Sequence, residues 1–322
     1  MKRVFQAEVL RAQRDGCLSA LDSSHLAMAG AMSRRACLAS IAGGLVAAMS
    51  PSYAWSARPP RPSSDSGVSS REVRDVAVRE LPLTKLSRED RNRVARVVND
   101  AAVFRRLPTQ TIACDAQLYT FLIQHPDLVV NLWRVLGISE VALERTGPNQ
   151  FRTDDKQGTQ GTIEILHADQ SSMLALADGM YDGALFTRRV RGRCVLALKN
   201  GEYQGENQEP IISTRLDVFI QIENVGAELL VKSFQPLVGH FADHNFRETA
   251  HFVETLNRAA QVNPGKIEQL ANKMNDISPV TRQQFVAITN QLAARVAERD
   301  ESVDIEPPQL ARRPDGSLPL RK

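Results

Sequence analysis

The sequence predicts an α+β fold in which a curved antiparallel sheet is gripped by one long C-terminal helix, with extra helices at the termini. Three observations predict it. Leu229 to Asn263 reads as a short apolar strand that runs through Phe234-Gln235-Pro236 into a long amphipathic helix. Ahead of it, six strand-like runs follow one another with turn residues and no helix between them. Ahead of those stand two short helical patterns.

The bounds are those of an ordinary globular chain: 322 residues, 43% hydrophobic and 24% charged, which excludes disorder throughout. The formal charge of +3 is carried by the first 54 residues, and beyond them Lys/Arg and Asp/Glu balance. A neutral chain gives no electrostatic reason to expect nucleic acid or an anionic membrane as partner.

Met32-Ser33-Arg34-Arg35 precedes an apolar run from Ala36 to Met49, then Ser50-Pro51-Ser52-Tyr53-Ala54. A positive segment, an apolar segment and a small-x-small cleavage pattern in that order predict an export signal over 1–54, with Met32 an alternative start. The run is short for a bilayer, which needs roughly 20 apolar residues. Arg34-Arg35 after Ser33 resembles the bacterial twin-arginine signal, although Cys37 stands where that signal has Phe. The expected location is periplasmic or extracellular. Cys114 and Cys194 then remain in the mature chain, where a disulfide is chemically allowed but two isolated cysteines in apolar context are more often plain core residues.

Residues 55–86 begin Pro/Ser-rich and read as a flexible linker. Ser87-Arg88-Glu89-Asp90 opens a leading helix over 87–106, with Val94, Val97, Val98 and Ala101 at helical spacing as far as Phe104. The core domain spans 107–263. It begins with a β-branched strand candidate, Leu107 to Cys114. Asp115 caps a short helix with Leu118, Tyr119, Phe121 and Leu122, which ends before Pro126, and Asp127 to Leu136 gives a second. The period then changes to two. Ile138 to Arg145, Gln150 to Asp154, Thr162 to Ala168, Met173 to Asp178, Phe186 to Leu198 and Ile211 to Glu223 read as strands, with Asp178-Gly179 and Asn200-Gly201 among the turns between them. Leu216, Val218, Ile220 and Ile222 alternate with Asp217, Phe219 and Gln221, which predicts one dry and one mostly wet sheet face. Helices over Lys266 to Met274 and Pro279 to Arg299 make a C-terminal extension, and residues 301–322, rich in proline, read as a disordered tail.

This order of elements resembles the START-related helix-grip superfamily of lipid-transfer domains and polyketide cyclases. The residues that carry the likeness are Cys114-Asp115-Ala116-Gln117-Leu118-Tyr119-Thr120-Phe121-Leu122, Trp133, and the strand-helix ending from Phe234 to Ala260. The resemblance covers about 107–263 and implies an apolar pocket between sheet and helix. It transfers no site residue.

From strand alternation, the expected pocket residues are Trp133, Cys194, Leu196, Leu216, Val218, Ile220, Phe241 and Phe252. On the long helix, Phe241, Phe246, Thr249, Phe252, Val253, Leu256 and Ala260 share the face expected to lie on the sheet. The opposite side carries His240, His244, Glu248 and His251, whose i, i+4 spacing resembles a metal site. Arg247, Glu254 and Arg258 share that side, so a solvated stripe with no metal is the expectation and a metal site the alternative. His167 beside Asp169 and the run Arg188 to Arg193 are weaker candidates, read as same-face neighbours and a solvent face. Neither a Gly-x-Ser-x-Gly string nor a phosphate-binding glycine loop is present. No catalytic residue and no cofactor are expected.

The reading these residues support is an exported binding protein that holds a hydrophobic small molecule or lipid. Two classes stay open: a cyclase- or aromatase-type enzyme using the same pocket, and a structural protein of the cell envelope. A protein partner docking on residues 279–299 is a further expectation.

Overall fold

The computed structural model of the protein describes residues 66–169, 171–182, 189–206, 209–223 and 227–304, with side chains left out at 227–238, 240 and 300–304. The fold is α+β. Helices α1 (Arg71–Arg79) and α2 (Arg88–Asn99) lead into strands β1 (Val103–Arg106) and β2 (Gln110–Ala113). Then come α3 (Ala116–Gln124), α4 (Pro126–Val135) and a meander of β3 (Ala142–Gly147), β4 (Gln150–Asp154), β5 (Thr159–Ala168), β6 (Ser172–Tyr181), β7 (Val190–Gln204) and β8 (Pro210–Glu223). Helices α5 (Ala227–Val262), α6 (Pro264–Asn272) and α7 (Pro279–Asp304) end it.

The eight strands form one open, curved antiparallel sheet in the order β1-β8-β7-β6-β5-β4-β3, with β2 also paired to β8. β1 and β2 share one edge of β8, meeting it at Asp217 to Ile220 and at Ile211 to Thr214. Pro108 lies between them, where a residue without an N–H cannot continue a ladder. Curvature has a local cause. Gly161, Gly179 and Gly192 are cross-strand neighbours on β5, β6 and β7, and a Cβ on Gly161 would stand 2.6 Å from the Asp178 carbonyl oxygen. A row without side chains lets these strands close on one another.

The long helix forms where an apolar strand running through Phe234-Gln235-Pro236 into a helix was expected. α5 is continuous from Ala227, and the proline lies inside it. Five apolar residues cannot distinguish strand from helix by period, and Ala227, Glu228, Leu229, Leu230 and Lys232 are strong helix formers. α5, α3, α4, α6 and α7 pack on one sheet face. There Phe246, Val253 and Leu256 of α5 join Leu196, Leu198, Leu216 and Val218 of the sheet in the main core.

The other face is not wet. α1 and α2 cover part of it, and Ala77, Val94, Val97 and Val98 meet Leu174, Leu176, Val195 and Phe219 in a second core. Phe219, expected toward solvent, is fully buried and lies 5.0 Å from the Phe104 ring. Asp217 beside it is buried too, and accepts from Arg106 Nε at 2.6 Å and Nη2 at 2.7 Å. α1 therefore corrects the linker reading of 55–86 over its later half. There Ser70 caps the helix at the Val73 N–H, and Ala77 packs against the sheet, a contact no local composition announces.

Other boundaries shift for local reasons. α2 stops at Asn99, and Phe104 belongs to β1, because Val103 and Phe104 find partners in β8 rather than a further helical turn. β6 and β7 run through Asp178-Gly179 and Asn200-Gly201, since a glycine paired across a sheet extends it as readily as it turns it. The first meander strand starts at Ala142, not Ile138, because Ile138 and Ser139 close the α4 C-terminus onto the Trp133 carbonyl. The expected export signal, the early linker, the start of the strand read from Phe186 and most of the tail lie outside the described residues. Among the described residues no helix is long and apolar enough to cross a membrane.

Candidate functional site

α5 places its side chains in four stripes by the helical period. Ala242, Phe246, Val253 and Ala260 form the buried stripe and His244, Arg247 and His251 the outer one. On one flank Asp243 and Asn257 reach the sheet edge. Asp243 accepts from Arg105 Nε at 2.8 Å, from Arg105 Nη2, and from the Gly67 N–H at 2.8 Å. The Asn257 amide donates to the Ala113 carbonyl at 3.3 Å and accepts from the Asp115 N–H at 3.1 Å. These bonds fix α5 against β1, β2 and the start of α3. The other flank carries Phe241, Asn245, Thr249 and Phe252. Its Phe252 ring meets Trp133 of α4 edge-on, with centroids 6.0 Å apart.

The eight expected pocket residues split into two groups. Leu196 and Leu216 are wholly buried, Val218 is 2% and Cys194 5% exposed, and all four sit inside the main core. Side chains fill the space around them. Trp133, Ile220 and Phe252 pack against that core while partly exposed, and Phe241 is half-buried beside it. The sheet floor is thus solid, and the accessible apolar surface lies at the rim where α4 and α5 face each other. Phe241 and Phe252 were expected on the sheet; they flank it instead, because Phe246 and Val253 occupy the central stripe.

The two cysteines are free and buried, so they form no bridge. Burial pushes the Cys194 thiol up to about 12, and burial with the nearby Asp115 charge raises Cys114 well above the usual range. Burial thus keeps both as protonated thiols at neutral pH, as for plain core cysteines.

The polar groups of this face are mostly clasps. Arg145 of β3 donates to Asp127 at 2.8 and 3.1 Å, to the Gln124 carbonyl at 3.0 Å and to the Pro148 carbonyl at 2.7 Å. Its guanidinium also lies 4.5 Å over the Phe151 ring, tying the start of α4 to the sheet edge. Burial and that same arginine depress the neighbouring His125. Asn245 differs. It is 7% exposed, and its side-chain oxygen is buried with no partner. An orphaned buried acceptor costs about 1–3 kcal/mol. Sequence reasoning passed over Asn245, since an asparagine in mid-helix reads as a solvent residue.

The histidines do not assemble a metal centre. His244 Nδ1 stands 3.9 Å from Glu248 Oε1, both side chains are well exposed, and His251 points to solvent. The His240 side chain lies outside the described residues. Among those described, no group of three His, Cys, Asp or Glu could hold a metal ion. His167 does bond Asp169, at 3.1 Å. Asp169 also takes Lys85 and the Ser171 and Ser172 N–H groups, both at 2.9 Å, so it serves as a turn cap. Burial pushes its carboxyl up, but these donors outweigh burial and hold it well below the carboxylate range. Of the arginine run, Arg193 pairs with Asp178 at 2.9 Å on the exposed surface.

On the uncovered part of the opposite face, β3 to β7 form an open groove of about 550 Å³. Its lining mixes charged pairs, Arg152 on Glu144 at 2.6 Å and Lys156 on Asp154 at 3.0 Å, with apolar surface such as Ala142 and Met180.

No family model matches the chain, and no curated protein does. Among solved structures, three crystal structures of dicamba monooxygenase are similar at 10%, 13% and 12% identity with TM-scores of 0.26, 0.25 and 0.26. One of them holds non-heme iron and dicamba. The matches cover 64–66% of this chain and span about 60% of theirs. A likeness this distant carries no argument about fold or chemistry.

Proposed function

We propose that the chain is an exported binding protein of the START-related helix-grip type, which holds a hydrophobic small molecule or lipid at the α4/α5 rim. The observation that supports this is the partly buried edge-to-face pair Trp133 and Phe252, flanked on α5 by Phe241. Aromatic side chains left partly open beside a packed apolar core are what a ligand that buries its own surface requires. Native mass spectrometry of the full chain purified from its host tests it. The expected result is a bound apolar mass, lost or weakened in Trp133→Ala. A ligand-free spectrum for protein that retains its fold would overturn the reading.

A structural role in the cell envelope is the second reading, favoured by the complete burial of Leu196 and Leu216 at the floor of the expected pocket. In that case the outer faces of the terminal helices, including 279–299, are the working surface, and Trp133→Ala changes stability alone.

A further inference from the structure

The unpartnered oxygen of Asn245 has a place that gives it a use. Counting along α5, Phe241 stands one turn before it and Phe252 two turns after it, so the three share a stripe. Phe252 meets Trp133 across the gap to α4. The neighbouring hydroxyl on that flank is already engaged: Thr249 Oγ1 donates to the Asn245 backbone carbonyl at 2.8 Å. The Asn245 side-chain oxygen has no such donor, although a buried acceptor is nearly always satisfied. An unmet polar acceptor set into an aromatic stripe fixes the orientation of an otherwise apolar molecule.

We infer that Asn245 is the polar anchor of the site, and that the ligand is an apolar molecule carrying a hydrogen-bond donor, a hydroxyl or an N–H, which donates to Asn245 Oδ1. This rests on the binding reading above and sharpens it: a hydrocarbon or an ether of the same shape leaves the acceptor unmet and is rejected. The same oxygen explains why this stripe, unlike the buried one beside it, is not wholly apolar.

The test uses two probes of nearly equal shape, 2-naphthol and 2-methoxynaphthalene, titrated into the full chain and into Asn245→Leu, with quenching of Trp133 followed in a Trp55→Phe background. The expected result is that 2-naphthol binds about tenfold more tightly than its methyl ether, and that Asn245→Leu reduces the ratio to near one while leaving the ether bound. Without ligand, Asn245→Leu should also melt higher than the parent, because it removes the orphaned group. Equal affinity for the two probes in the parent chain overturns the anchor while the binding reading stands, and this comparison needs no variant. Failure of both probes to bind overturns the binding reading and the anchor together.

Discussion

Breaking the Arg105–Asp243 pair should destabilise the protein more than any surface change and should report directly on how α5 is seated. The Asp243 side chain is 8% exposed and that of Arg105 17%, so either charge left alone is largely cut off from water. Removing one partner of a buried pair costs about 3–5 kcal/mol. The access that Arg105 keeps puts Asp243→Leu near the lower end, about 3 kcal/mol. Arg105→Met leaves Asp243 with the Gly67 N–H alone and should cost as much or more. The double substitution Arg105→Met/Asp243→Leu removes both charges and strands only that N–H, a loss of about 1 kcal/mol. Urea unfolding followed by circular dichroism measures the three differences, and for a domain of this size 3 kcal/mol corresponds to a melting shift of about 6–12 °C. If either single variant lies within about 0.5 kcal/mol of the parent, the pair is not desolvated and α5 is not held against β1 as described. A double variant as unstable as the two single ones combined would equally refute the coupling.

Further outcomes follow from the packing of α5 and the surroundings of His125. Phe246→Ala, at a wholly buried ring, should cost about 3–5 kcal/mol, more than Phe252→Ala at the partly exposed rim. His244→Ala, at a side chain 42% exposed, should stay within about 0.5 kcal/mol by chemical denaturation, and the reverse order would show α5 rotated. Burial and Arg145 hold the His125 pKa below its usual value, so the folded state binds its proton less readily than the unfolded chain. As pH falls below about 6.5 the unfolded state gains a proton that the folded state refuses, and stability drops. The melting temperature should therefore fall between pH 7 and pH 5.5, above the range where carboxylates titrate, and His125→Gln should flatten that slope. An unchanged slope would exclude His125 as its source.

How much of this could be read from the residues differs between elements. The β-meander was legible because period-two alternation and turn residues are local signals, and Gln150 to Asp154 came out as a strand with its observed bounds. α3 and α4 were legible from Asp115 and Pro126, which act within one turn. What sequence reasoning missed depends on distant partners. Phe219 reads as the odd apolar residue on a wet face until α2 is placed over it. Arg105 and Asp243 are two ordinary charges until β1 and α5 meet. At the candidate site, alternation identified which residues face the main core but not which of them the core would consume. Leu196 and Leu216 went to packing, Trp133 and Phe252 to the rim, and that division depends on where α4 lies.

The pairing of β1 and β2 with β8 also says something about the order in which this chain can acquire its structure. β3 to β8 are joined by short connections and can pair as they emerge, whereas β1 and β2 must wait for β8, which comes at the far end of the meander. Contacts between such distant segments close slowly, because a long loop must be ordered before any pairing rewards it. Until then the face of Leu174, Val195 and Phe219 has no cover, since α1 and α2 arrive together with β1. The N-terminal helices thus act as a late-fitting shield for a sheet that is adhesive on both sides while it assembles. A chain cut before Pro210 loses β8 and with it the partner of β1 and β2, so Leu174 and Val195 stay uncovered and aggregation rather than partial folding should be its fate.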